Sequence, residues 1–252
     1  MKKNTMMRLA SVLLVCVLLT TSVISGTFAK YTTSADAEDT ARVAHWGVEL
    51  TVTGGDQLFS QEYTGTAGKI TVKSSNNDDV VAPGTTNNTA VVFTLKGTPE
   101  VATKVTATLG ETKDVFLKYG NNKENTYYPV VFTLTHTYGA DAFSIAPVVA
   151  DTGATVTTSP GKDVITGTLA QIQAVLTNLT NNMTQVNPNY VYDDTFTLTW
   201  AWAFQQTNVD DFDKLDTILG NLAAGKTVVG YDTGDYNLTL KYDFSITVEQ
   251  VD

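Results

Sequence analysis

Apolar and polar side chains alternate one by one along much of this chain, and that alternation predicts strands. From residue 236 to 248, Tyr236, Leu238, Leu240, Tyr242, Phe244, Ile246 and Val248 share one parity. Asn237, Thr239, Lys241, Asp243, Ser245 and Thr247 hold the other. No helix gathers such a set on one stripe, whereas a strand does so because successive side chains point to opposite faces. Phe196, Leu198, Trp200, Trp202 and Phe204 repeat the pattern over Thr195, Thr197, Thr199, Ala201 and Ala203. Val130, Phe132, Leu134, His136 and Tyr138 form a third such run. The two tryptophans therefore read as core.

Weaker strands are expected at residues 48–53, 69–73, 91–96, 101–109, 144–149 and 154–158. Turn-forming clusters such as Gly54-Gly55, Pro83-Gly84, Gly120-Asn121-Asn122 and Pro160-Gly161 separate them. Threonine is abundant, as suits residues that fit a half-buried pleated surface. Two segments change period. Leu169, Ile172, Val175, Leu176 and Leu179 follow helical spacing with Thr168 as N-cap. Phe212, Leu215, Ile218, Leu219 and Leu222 do the same, with acids at the start to suit the helix dipole and Gly225 to end it. Nine or so strands and two short helices read as an all-β protein, a jelly-roll-type β-sandwich with two short helical insertions. No linker interrupts residues 45–252, so one domain is expected there.

The N-terminus follows a different rule. Lys2, Lys3 and Arg8 precede an apolar run over residues 9–24, and small residues, Thr27 and Ala29, frame a cut before Lys30. This is the layout of a cleavable signal peptide over residues 1–29. The apolar run falls short of the ~20 residues of a spanning helix, so membrane contact is expected only before cleavage. Cys16 is the single cysteine and lies inside that run after Val15, which is not the small residue a lipid-modified cysteine needs. Cleavage leaves no cysteine, so stability must come from a packed core without disulfides. Of the 16 basic residues three are lost with the signal, leaving 13 against 26 acids, a net charge of −13. Such a chain has no basic patch for nucleic acid.

Residues 30–44 carry a thinner pattern. Tyr31, Thr33, Ala35, Ala37, Asp39, Ala41 and Val43 share a mostly small or apolar parity, opposite Lys30, Thr32, Ser34, Asp36, Glu38, Thr40 and Arg42. The face is too narrow to build a hairpin, yet it could complete another sheet. Periodicity alone leaves it equally readable as an acidic tail.

Catalysis has little to stand on. His45 and His136 are the only histidines, and neither belongs to a His-Glu-x-x-His helix. His136 sits on an apolar parity and reads as a packed residue. The pairs Asp78-Asp79, Asp193-Asp194 and Asp210-Asp211 read as solvated turns or helix starts. Asp210, Asp211, Asp213 and Asp216 are the best calcium candidates, but their spacing does not match the twelve-residue calcium loop. No cofactor is expected and no catalytic residue is assigned.

An ordered series of segments carries a resemblance. Ser25-Gly26-Thr27-Phe28-Ala29-Lys30-Tyr31 followed by Ala44-His45-Trp46-Gly47-Val48 resembles exported substrates of the signal peptidase SipW. Val81-Ala82-Pro83-Gly84-Thr85, Gly97-Thr98-Pro99-Glu100-Val101, Tyr127-Tyr128-Pro129-Val130-Val131-Phe132 and Trp200-Ala201-Trp202 resemble stretches of the TasA/camelysin family. So do Asp216-Thr217-Ile218-Leu219-Gly220 and the final Ile246-Thr247-Val248-Glu249-Gln250-Val251-Asp252. The resemblance implies a jelly-roll subunit of the cell surface or biofilm matrix of a Gram-positive-type bacterium, exported through a SipW-type signal peptidase. It implies that residues 30–43 act as a donor strand completing the next subunit, so that the partner is the protein itself. Camelysin-like relatives are described as surface metalloproteases, an activity not carried over to this sequence. A surface metalloprotease and a monomeric binding module for cell-wall glycan remain the alternative functions. With no sorting motif or apolar tail at residue 252, covalent wall anchoring is not expected.

Overall fold

The alternating segments become strands because each can bury one parity and leave the other in water. The computed structural model describes residues 47–64, 71–139, 152–182, 191–204, 206, 209 and 211–251, together with Leu14. Along them run β1 (Val48–Thr53), β2 (Glu62–Thr64), β3 (Thr71–Lys73), β4 (Val91–Gly97) and β5 (Thr103–Leu109). Then come β6 (Phe116–Tyr119), β7 (Asn125–Tyr127), β8 (Val130–Tyr138), β9 (Thr155–Ser159) and β10 (Lys162–Gly167). Helix α1 (Leu169–Asn182), β11 (Tyr192–Trp202), helix α2 (Phe212–Ala223), β12 (Tyr236–Asn237) and β13 (Phe244–Gln250) follow. Apart from Leu14, all of these residues belong to one unit, Arg42–Asp252.

Six strands form an antiparallel sheet in the order β1-β4-β11-β8-β10-β9. Its inner face follows from the register. Phe196 lies opposite both Phe93 and His136, Leu198 opposite Leu134, and Trp200 opposite Phe132. All are buried, and the Trp200 indole N–H donates to the Leu58 carbonyl at 2.8 Å. Trp200 and Trp202 are core, as the parity requires. Phe204 departs from its parity: the strand ends at Trp202, and Phe204 is 60% exposed.

Against that face lie the β13–β5 ribbon and α1. The Phe244 ring meets Phe93 at 4.1 Å, and Thr103 Oγ1 on β5 lies 2.5 Å from the Tyr192 hydroxyl on β11. Helix α1 buries Leu169, Ile172, Val175, Leu176 and Leu179 and packs on β5, β8 and β10. Its start is capped reciprocally: Gln171 N–H donates to Thr168 Oγ1, and Thr168 N–H donates to Gln171 Oε1. Asp114 adds its carboxylate, accepting from the N–H groups of Leu169 and Ala170. Helix α2 buries Leu215, Leu219 and Leu222, and Gly225 with φ 71° ends it.

The longest alternating run does not make one uninterrupted strand. Phe244 pairs with Leu109, Lys241 bridges Lys113, and Tyr236 pairs with Leu117. One side advances three residues while the other advances four, then five against four, so an extra residue on each side cancels the slip. The run keeps its parity but breaks into β12, a bridge and β13. Asn237 helps to make the break by donating through its amide to the carbonyls of Asp114 and Thr239. Strands β2, β6, β7 and β10 lie outside the expected set. The strand expected at 144–149 falls outside the described residues.

Candidate functional site

Position on an edge decides how well an inward-facing side chain is covered. Leu50 and Val52 share the inner parity of β1 and lie opposite Leu95 and Phe93 on β4. Leu95 is fully buried, yet Leu50 is half-buried and Val52 is 51% exposed. Among the described strands β1 pairs only with β4, and β13 pairs only with β5. Phe244, Ile246 and Val248 on β13 are likewise half-buried although they pack toward the core.

Between these two edges runs a cleft of ≈ 370 Å³, with Val52, Val91, Phe93, Phe244 and Ile246 as its apolar walls. The Tyr242 hydroxyl donates to the Gly55 carbonyl and ties the two sides together at one end. Asp243 lines the same end. Gly97 fixes the other end of β1. Its φ of +136° and the closeness of the Gly47 carbonyl, which would lie 1.7 Å from an added Cβ, leave room only for glycine. Chemically the cleft offers apolar walls beside two strand edges, with Tyr242, Asp243 and Ser245 as its polar lining.

The described calcium candidates, Asp211, Asp213 and Asp216, do not form a metal-holding group. Asp216 turns inward from α2, where its Oδ1 accepts from the Tyr127 hydroxyl at 2.7 Å and both its oxygens accept from the Trp202 N–H at 3.2 Å. Gln206 donates to the Tyr127 oxygen and the Pro129 carbonyl, completing a polar lock between α2 and the ends of β7 and β11. Burial pushes the Asp216 carboxyl above the usual aspartate range, opposed by its two donors. Burial, then the neighbouring carboxylate, pushes the Tyr127 hydroxyl up. Asp211 stands at the N-cap with left-handed backbone, and Asp213 occupies the exposed first turn. Asp210 falls outside the described residues. Among those described, no three His, Cys, Asp or Glu side chains form a metal-holding group.

His136 is packed, as its parity requires, but not among apolar groups alone. Its Nε2 shares a hydrogen bond with Asp194 Oδ1 at 2.8 Å, and Asp163 Oδ2 lies 4.0 Å from its Nδ1. The ring stacks on Phe196 at 4.4 Å, nearly parallel, and all three polar side chains are buried. The expectation that Asp193-Asp194 is a solvated turn is therefore wrong for Asp194. β11 starts at Tyr192, and its pleat aims Asp193 outward and Asp194 into the core. The signal was present in the sequence: Asp194 shares parity with Tyr192, Phe196 and Leu198.

Residues 1–29 with the cleavage positions Thr27, Ala29 and Lys30 lie outside the described residues, Leu14 excepted. So does the proposed donor face of Tyr31, Thr33, Ala35, Ala37, Ala41 and Val43. Comparison with family models, with curated proteins and with solved structures finds no match.

Proposed function

We propose that this protein is an exported structural subunit of the cell surface or biofilm matrix, which polymerises when residues 30–43 of one copy enter the β1/β13 cleft of the next. Export would follow removal of residues 1–29 by a SipW-type signal peptidase. The observation that carries the reading is the half-exposed apolar inner face of β1 and β13, Leu50 and Val52 against Phe244 and Ile246, at two strand edges without a described neighbour. An incoming strand would supply main-chain hydrogen bonds to β1 and cover those side chains. Completing the cover of a large apolar side chain that is already half-buried contributes about half of the ~1.5–3 kcal/mol of full burial. The narrow parity of Ala35, Ala37, Ala41 and Val43 suits a cleft with limited depth. The two-layer antiparallel arrangement supports the jelly-roll reading, and the ordered resemblance to the TasA/camelysin family supports the matrix role.

The test is a complementation experiment followed by light scattering and electron microscopy. The processed parent should form fibres, and Ser34→Ala with Asp36→Ala should still do so because it alters only the outward parity. Ala35→Asp with Ala37→Asp spoils the donor by placing carboxylates in an apolar cleft. Val52→Asp spoils the acceptor. Neither variant alone should form fibres, and their mixture should add only a complex joined by one donated strand, since only one competent donor–acceptor pair can form. Fibres from the double-Asp variant equal to the parent's would sink the reading.

A further inference from the structure

The outer face of the six-stranded sheet is a regular field of threonines. Thr51, Thr94, Thr195 and Thr137 lie side by side across β1, β4, β11 and β8. The next row holds Thr53, Val92, Thr197 and Thr135, and the third Thr199, Thr133, Thr166 and Thr155. Every one of these side chains is half-exposed or exposed. Charge appears only at the rim, where Lys96 and Asp193 pair at 3.5 Å beside Glu49, with Lys162 next to Thr137. The opposite end carries the exposed Val131 and Ala201.

From this face we infer that two copies of the chain associate back to back through their threonine rows, joining protomers of neighbouring polymers sideways. This rests on the polymer reading above for its setting, but not for the contact itself. A chain with 26 acids against 16 basic residues repels its own copies wherever carboxylates meet. The three rows let two copies approach without that repulsion. They hold no aromatic ring, so they lack the stacking platform that sugar recognition favours. Threonine is self-complementary, with a methyl group to pack and a hydroxyl that both donates and accepts. Two faces with the same right-handed twist can pack aligned at about 30°. A rigid flat lattice could follow neither twist nor pleat over six strands.

Size sets the strength. Six strands about 4.8 Å apart and three rows about 7 Å apart give a footprint on the order of 500 Å² per copy. That is below the roughly 800 Å² per partner of a standard stable interface. A single pair is therefore weak and transient. Repeated along a polymer, many such contacts act together and bundle it.

The experiment is sedimentation velocity on the exported chain carrying Ala35→Asp and Ala37→Asp, which removes strand donation. That chain should show a concentration-dependent monomer–dimer equilibrium. Adding Thr135→Lys with Thr197→Lys, or Thr135→Glu with Thr197→Glu, should leave monomer, while an equal mixture of the two should restore the dimer. Circular dichroism serves as the folding control, and the outward positions should leave it unchanged. With strand donation intact, the Lys variant should give single fibres where the parent gives bundles. A dimer without fibres in the parent would remove the polymer reading and keep this one. A chain monomeric up to millimolar concentration, or a Lys variant that dimerises like its parent, overturns the inference. So does monomer retained on insoluble cell-wall polysaccharide and released by Thr197→Lys, which would assign the face to glycan.

Discussion

Phe93 on β4 and Phe244 on β13 meet with ring centroids 4.1 Å apart and planes tilted by 51°. This contact forms the back wall of the cleft and binds the β13–β5 ribbon to the six-stranded sheet. Phe93 is buried, whereas Phe244 is half-buried because one side of its ring faces the cleft.

Phe244→Ala should therefore cost about half of the ~3–5 kcal/mol typical of a fully buried phenylalanine. It should also widen the cleft and weaken the proposed strand capture. Urea unfolding measures the first effect and the critical concentration for fibre growth the second. Parent-like values for both would detach Phe244 from the wall.

His136→Ala should destabilise the fold by about 3–5 kcal/mol, because Asp194 keeps its buried carboxyl group but loses the imidazole that bonds to it. Replacing both members, His136→Leu with Asp194→Leu, should recover most of that loss, since no uncompensated charge then remains from the pair. Chemical denaturation of the single and double variants gives the coupling. Additive losses would mean that the pair is not a unit.

Asp216 gives a dependence on pH. Its carboxyl is raised in the folded chain from the ordinary value of 3.8, so the fold holds a proton that the unfolded chain releases. Its contribution is then most favourable below that ordinary value and declines as pH rises toward the raised one. Asp216→Asn removes this slope while its amide oxygen can still accept from Tyr127 and Trp202. Melting temperatures of parent and variant from pH 3 to pH 6, in steps of about half a unit, should diverge in the variant's favour as pH rises. A constant difference would refute the assignment.

Gly97→Ala should displace the start of β1, since a Cβ at φ +136° would run into the Gly47 backbone. A loss of at least about 2 kcal/mol is expected from the strained backbone and the broken approach. Hydrogen exchange at residues 48–50 should accelerate more than exchange in β8. Equal protection in the variant would show that the chain relaxes there at no cost.

The sequence made some of these elements plain. β1, β4, β8 and β11 announce themselves by alternation, and α1 and α2 by spacing and caps, because each is long enough to repeat its period. β2 and β7 have three residues each, too few to display a period. β10 hides because Asp163 occupies an inward position where an apolar residue is expected. The cleft is harder still. Val52 and Ile246 look like ordinary inward residues, and their exposure arises only from which strands lack neighbours. The same holds for the threonine face: alternation identifies Thr195, Thr197 and Thr199 as outward, but only the register sets them beside Thr133, Thr135 and Thr137.

The ribbon that walls the cleft has a consequence for timing. Thr103 pairs with Gln250 and Leu109 with Phe244, so the two halves of β13–β5 are separated by roughly 140 residues of chain. Synthesis runs from the N-terminus, so β5 must wait for nearly everything else before its partner exists. Closing so long a loop is also the slowest kind of contact to form. The six-stranded sheet can collapse on α1 earlier, while the ribbon that supplies the second wall arrives last. A chain whose C-terminal segment has not yet been made therefore lacks the β13 wall of this cleft, and the cleft is completed only by the last strand of the polypeptide.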